Sequence, residues 1–252
     1  MSEGTGSCLT EKASRGLAAI GFVVTLALAA SSIPIVHFYQ IYWSRLKSLP
    51  AAVATYEAHH GGRWTPVSRV SPWLTKALIA TEDRTFYSNL GISFEGIGRA
   101  LLVDLHTHQF TQGGSTLTQQ LARDTMLSPV KSFRRKVSEA LLALMITRLY
   151  SKQEILTLYL NEVYLGAGSY GISEASQRYF GVPPKRLNLP EAALIAGLPQ
   201  APSAYDPLVH YQAAKARQLE VLNSMVQDHV ISRLLARQAY QAPLPFKGSG
   251  GA

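Results

Sequence analysis

Apolar residues open the chain with no polar face between them. Leu17 to Val36 is a run of 20 mostly apolar positions, and no Asp, Glu, Lys or Arg falls between Gly16 and Ser44. As a helix such a run is ~30 Å long, the depth of a bilayer core. Tyr39, Tyr42 and Trp43 follow it as an interfacial aromatic belt would, and Lys12 and Arg15 precede it. The pattern predicts a single-pass transmembrane signal anchor over 17–38, with 1–16 in the cytoplasm. Arg45 and Lys47 offset the upstream charges, so the orientation rests on little. A cleaved signal peptide competes with the anchor, because Ala27-Leu28-Ala29 has the small-x-small form of a cleavage site.

Beyond the anchor, Pro50, Gly61, Gly62, Pro66 and Pro72 punctuate a stretch read as a linker over 39–72, with Val53 to Val70 its one modest strand candidate. From there apolar residues recur at spacings of three and four. They predict helices over Trp73–Phe86, Thr116–Leu127, Phe133–Leu149, Lys152–Leu165, Pro190–Leu198 and Gln212–Tyr240. The expectation is a mainly α domain over 73–241, followed by a tail over 242–252.

Composition narrows the class. Hydrophobic residues make up 47% of the 252 and charged ones 16%, against about 25% charged in an average soluble domain, which excludes a disordered chain. The single cysteine, Cys8, excludes an internal disulfide. The net charge of +8 points to an anionic partner. Seven basic residues (Arg123, Lys131, Arg134, Arg135, Lys136, Arg148, Lys152) against Asp124 and Glu139 put +5 of it between 123 and 152.

Several local patterns carry chemistry, each with a bland alternative. Gly113-Gly114-Ser115-Thr116 breaks the chain before a helix, and Thr116 with Gln119 has the form of a capping box. Its backbone N–H groups could meet an anion, or the helix is simply capped. Glu82-Asp83 ends an apolar helix, a setting that raises a carboxyl pKa and suits a general base, although an acidic pair at a helix end is also an ordinary solvated feature. Glu139, four residues after Arg135 and three after Lys136, is either a surface ion pair or the orienting acid of a phosphate clamp. Ser44 to Lys47 and Ser128 to Lys131 match Ser-x-x-Lys by accident, since no Lys-Thr-Gly accompanies them. His59, His60, His106 and His108 make no metal signature.

Taken in order, the segments resemble the five motifs of the peptidoglycan glycosyltransferases, glycosyltransferase family 51. They are Glu82-Asp83-Arg84-x-Phe86-Tyr87 with Gly91; the run Gly113 to Leu121; Arg135-Lys136-x-x-Glu139; Lys152-x-x-Ile155-Leu156-x-x-Tyr159-Leu160-Asn161-x-x-Tyr164-x-Gly166; and Ala196-Gly197-Leu198-Pro199-Gln200-Ala201-Pro202. The match spans roughly Trp73 to Pro207. The anchor and short tail resemble the monofunctional type, without a transpeptidase domain.

The resemblance implies a lysozyme-like helical fold and polymerisation of lipid II: the glycan on undecaprenyl pyrophosphate moves to the GlcNAc 4-hydroxyl, with inversion at MurNAc C1. By the same resemblance Glu82 is the base and Glu139 the second essential acid. Arg123, Lys131, Arg135 and Lys136 lie near pyrophosphate. Phe86, Ser115, Thr116, Gln119 and Gln120 belong to the substrate site, and Asp83 supports Glu82 or, with it, a divalent cation such as Mg2+. Asn161 and Tyr164 are structural. Ile92 to Phe110 resembles a membrane-dipping subdomain. No organic cofactor is implied. The partners implied are lipid II, lipid-linked glycan, membrane lipids and cell-wall synthesis or division proteins, with no nucleic acid, at the bacterial cytoplasmic (inner) membrane with the catalytic domain on its outer face.

Four positions depart from the family pattern: Asn89 for His, Arg123 for Lys, Lys131 for Arg and Thr157 for Glu. Exchanging Arg and Lys keeps charge but not phosphate geometry. Two rivals remain. A lysozyme-like hydrolase or lytic transglycosylase would have no pyrophosphate for the cations to neutralise. An inactive membrane scaffold would keep its cellular role after Glu82→Gln.

Overall fold

The computed structural model describes residues 36–93, 114–130 and 132–247. The anchor reading over 17–38, apart from its last three positions, lies outside the described residues, as do Lys131, most of Ile92 to Phe110 and the end of the tail. Among the described residues no helix is long and apolar enough to cross a membrane.

The chain divides into two units, Met1–Lys47 and Ser48–Ala252. In the first, residues 36–47 are helical. Aromatic rings four apart meet along one side: Phe38 and Tyr42 at 4.7 Å, Tyr39 stacked on Trp43 at 4.7 Å, with the Lys47 ammonium 4.8 Å from the Trp43 ring. This i, i+4 pairing is the geometry of a helix surface.

The second unit is mainly α. Its described helices are α1 Leu49–His59, α2 Pro72–Glu82, α3 Leu117–Met126, α4 Phe133–Leu149, α5 Lys152–Glu162, α6 Gly171–Tyr179, α7 Leu189–Gly197, α8 Tyr211–Gln227 and α9 Arg233–Gln241. An isolated bridge between Tyr164 and Tyr170 is the one β pairing among the described residues. Side-chain caps start several helices: Thr116, Ser151 and Asn188 each close a full capping box, and Ser132 and Ser232 accept from the third backbone N–H.

Three differences from the sequence expectation stand out. The linker over 39–72 is largely helical, and no strand forms over Val53 to Val70. Leu49, Val53 and Glu57 are buried on one face of α1, which packs on α5. Pro50 sits in the first turn, where a missing N–H costs nothing. The helix expected over Gln212–Tyr240 is two: it breaks after Gln227, His229 turns left-handed at φ 57°, and Ser232 caps a new start. The helix expected over Trp73–Phe86, α2, ends at Glu82, four residues before Phe86.

The packing makes two neighbourhoods. Helices α2, α7 and α8 pack on one another, and α3 packs on α4 and α5. Leu74, Ala77 and Leu78 of α2, Ala192 to Ala196 of α7 and Val221 and Leu222 of α8 close the first. Leu117, Leu121, Leu142, Ile146, Ile155 and Tyr159 close the second. The carboxyl end of α2 reaches from the first to the second, and it carries Glu82.

Candidate active site

Glu82 is the last residue of α2, so its side chain leaves the helix where α3 and α8 approach. Its Oε2 accepts from Gln120 Nε2 at 2.9 Å, and its Oε1 pairs with Arg217 Nη2 at 3.3 Å. The side chain is 13% exposed. Burial pushes its pKa up, and Gln120, Arg217 and Arg123 pull it part of the way back. Gln120 is in turn oriented by Tyr159 of α5, whose hydroxyl donates to its Oε1 at 3.2 Å.

Asp83, buried, faces elsewhere. Its Oδ1 accepts from Asn89 Nδ2 at 2.8 Å and Thr85 Oγ1 at 3.3 Å, and its Oδ2 from the Leu117 N–H at 3.2 Å. Burial raises its pKa while Asn89, the Leu117 N–H, Lys152 and Thr85 oppose the rise. A carboxylate on the first N–H of α3 suits the positive end of that helix. The Thr116 hydroxyl accepts from the Gln119 N–H and donates to the Gly91 carbonyl, while Gln119 Oε1 accepts from the Thr116 N–H. The amino terminus of α3, offered by the sequence as an anion site, is thus occupied by Asp83 and the capping box.

The two acids do not converge. Each is taken up by its own donors, and among the described residues no three of His, Cys, Asp and Glu come together to hold a metal ion. With each carboxylate held by its own donors, Glu82 and Asp83 in this arrangement do not fit a shared divalent cation.

Glu139 is not a surface residue. It lies on the buried face of α4 with Leu142, Ala143 and Ile146, at 1% exposure, which removes the surface ion-pair reading. Lys136 Nζ reaches its Oε2 at 2.9 Å and also donates to Ser115 Oγ. Arg135 Nε lies 3.1 Å from Oε1 as an ion pair without the alignment of a hydrogen bond, and its Nη1 donates to the Pro129 carbonyl. Half of the Lys136 side chain stays in solvent. Two cations held by a buried acid, with an outward face, can receive a phosphate oxygen. Arg123 stands on α3 paired in a fork with its neighbour Asp124, at 2.6 and 2.9 Å, and its charge acts on Glu139 as well as on Glu82.

Phe86 is fully buried and carries the Lys152 ammonium 4.9 Å from its ring. It is part of the frame. Lys152 donates to the Asn89 carbonyl and to its Oδ1, so Asn89, the departure from His, ties Lys152 to Asp83. Thr157, the departure from Glu, accepts from the Val67 N–H at 3.1 Å and holds the turn before α2.

Sequence reasoning misses Arg217. It is buried on α8 between Ala214 and Val221, a cation interrupting an apolar helical stripe, and that interruption is the available signal.

A family model described as Transglycosylase matches residues 50–226. The chain belongs to the transglycosylase family. The match begins within α1, so it takes in residues 50–72 of the stretch read as a linker. Among similar proteins are penicillin-binding protein 2D of Bacillus subtilis, 35% identical over 249 residues (95% of this chain, 36% of that one), and penicillin-binding protein 1A of Aquifex aeolicus, 40% identical over 184 residues (73% and 25%). Penicillin-binding protein 1A of Neisseria cinerea is 36% identical over 232 residues (92% and 29%). The chain spans between a quarter and just over a third of the length of these relatives.

Proposed function

We propose that this transglycosylase polymerises lipid II into peptidoglycan glycan strands at the bacterial cytoplasmic membrane. The observation that carries the reading is Glu82: a largely covered carboxyl of raised pKa, held at both oxygens by Gln120 and Arg217, in a unit that also groups two cations on the buried acid Glu139. The lysozyme-like arrangement of the helices belongs to the same reading, as does the anchor over 17–38 with the catalytic unit on the outer face.

Glu82 takes the proton of the GlcNAc 4-hydroxyl as that oxygen attacks C1 of the donor MurNAc. The C1–O4 bond forms with inversion while the bond from C1 to the pyrophosphate oxygen breaks, and the lipid pyrophosphate leaves with the electron pair. Arg123, Arg135 and Lys136 take up its growing charge, with Lys131 assigned there by resemblance. Gln120 fixes one oxygen of the base, and Glu139 holds Arg135 and Lys136 toward the leaving group.

The test is incubation of detergent-solubilised protein with labelled lipid II, with Glu82→Gln in parallel, followed by muramidase digestion. Muramidase-sensitive polymer from the wild type alone is the expected result. No polymer from a folded wild-type protein across several detergents would overturn the proposal.

A further inference from the structure

The fifth motif carries no acid, cation or nucleophile, yet its glycine meets the base through another residue. Gly197 ends α7, and the stem of Arg217 from α8 lies directly across it. A Cβ built on Gly197 would stand 2.7 Å from Arg217 Cγ and 3.3 Å from Val221 Cγ2. The guanidinium then makes three contacts in different directions: Nε donates to the Gly197 carbonyl at 3.2 Å, Nη1 to Glu220 Oε2 at 2.8 Å, and Nη2 to Glu82 Oε1 at 3.3 Å. Arg217 is buried, whereas Glu220 is 62% exposed.

We infer that Arg217 is a positioning residue for Glu82, and that Gly197 lacks a side chain so that Arg217 can reach it. A planar guanidinium anchored at two points presents its third edge in a fixed direction. Together with Gln120 it clamps the carboxylate at both oxygens, so the free lone pairs of the base point one way. The charged groups acting on Glu82 are Arg217 from α8, with Glu220 behind it, Arg123 from α3, and the neighbouring Asp83; Tyr159 of α5 feels the Glu82 charge in turn. Arg217 is the one of these in ion-pair contact with it. The role is orientation: no atom of Arg217 is assigned to the substrate.

This inference rests on Glu82 being the base of lipid II polymerisation, and wild-type polymer is therefore its control. Arg217→Ala is expected to lower kcat by roughly ten- to a hundredfold with KM for lipid II changed by less than about twofold, because a misaimed base costs turnover and not binding. Arg217→Lys, which keeps the charge and can reach Glu82, should recover about threefold or more over Arg217→Ala. Gly197→Ala leaves Arg217 in the chain but displaces its stem, and should lower kcat in the same way while unfolding as cooperatively as the wild type. If active wild-type protein gives an Arg217→Lys no better than Arg217→Ala, a Gly197→Ala with wild-type kcat, or variants whose loss lies in KM, Arg217 does not position the base. Should Arg217→Ala fail to fold, the Lys and Gly197 variants decide alone. An inactive wild-type protein would instead remove the reading beneath the inference.

Discussion

Asn161 holds Thr65 by both of its backbone groups: Oδ1 accepts from the Thr65 N–H at 2.7 Å, and Nδ2 donates to the Thr65 carbonyl at 2.9 Å. The carboxamide acts as a rung of sheet for a segment that has no strand partner. Asn161 is fully buried on α5, and Thr65 precedes the turn that leads into α2. A residue in the fourth motif thereby sets where α2 begins, and through α2 where Glu82 ends. Asn161→Ala strands two backbone groups in the interior and should cost about 2 to 4 kcal/mol. Urea unfolding measures it, and a loss below ~1 kcal/mol would refute the assignment. Asn161→Asp, which can accept but not donate, should fall between.

The loop after Glu82 depends on a glycine in the same manner. Gly91 has φ +94°, and a Cβ there would lie 2.5 Å from the Ala143 carbonyl of α4. Its N–H donates to Asn89 Oδ1 and its carbonyl accepts from Thr116. Gly91→Ala therefore strains the backbone and pushes the loop off α4, with an expected cost above about 2 kcal/mol. Activity should fall with it, since Asp83 and Asn89 lie in the same loop and Thr116 donates to the Gly91 carbonyl. A variant with wild-type urea midpoint and polymerisation rate would contradict this.

Two acids away from the reacting groups set how stability varies with pH. Glu57 is fully buried on α1 with both carboxyl oxygens unpartnered, against Gly62 and Gly171, whose missing side chains make its space. Burial pushes its pKa from 4.5 to about 7. Glu162, also buried, rises to about 8, chiefly by burial and next by Asp124. In each case the folded state holds a proton that the unfolded chain releases near 4.5. Their contribution is therefore complete below that pH and is lost as pH rises toward 7 and 8. Unfolding midpoints should decline from pH 5 to pH 8. Glu57→Gln should flatten the decline up to pH 7, leaving the Glu162 part. A wild-type midpoint that climbs over this interval would show that neither acid is protonated in the fold.

Much of the fold and the site is legible in the sequence, for reasons that particular residues make clear. Thr116 and Gln119 announce a capping box because both halves of it lie three residues apart, and the box forms. Arg135, Lys136 and Glu139 are legible as one cluster because helical spacing alone brings them together. The burial of Glu139 is not, since that depends on what α4 packs against. Leu49–His59 reads wrongly as linker because Pro50 signals a break in a linker and a good first turn in a helix alike. Arg217 lies 135 residues beyond Glu82, and only the packing of α8 on α2 and α7 joins them. Local chemistry is readable from the chain, and contacts made by packing are not.

Lys136 separates binding from turnover among the cations. It bridges Ser115 before α3 and Glu139 on α4, and it keeps an exposed face, whereas Arg135 is largely covered and bound to the Pro129 carbonyl. Lys136→Met removes a charge from the open side of the site without uncovering Glu139, which retains Arg135. A cation that meets the pyrophosphate of bound substrate as well as of the leaving group contributes to both states, so its loss should appear in KM. The expected change is a rise in KM for lipid II of roughly tenfold or more, the scale of one charge-assisted hydrogen bond. Lys136→Arg should preserve most of the binding. Because the wild-type ammonium is half in solvent, raising ionic strength should weaken substrate binding in the wild type more steeply than in Lys136→Met. Initial rates across lipid II concentrations at two salt levels give both quantities, and equal salt slopes would place Lys136 away from the pyrophosphate.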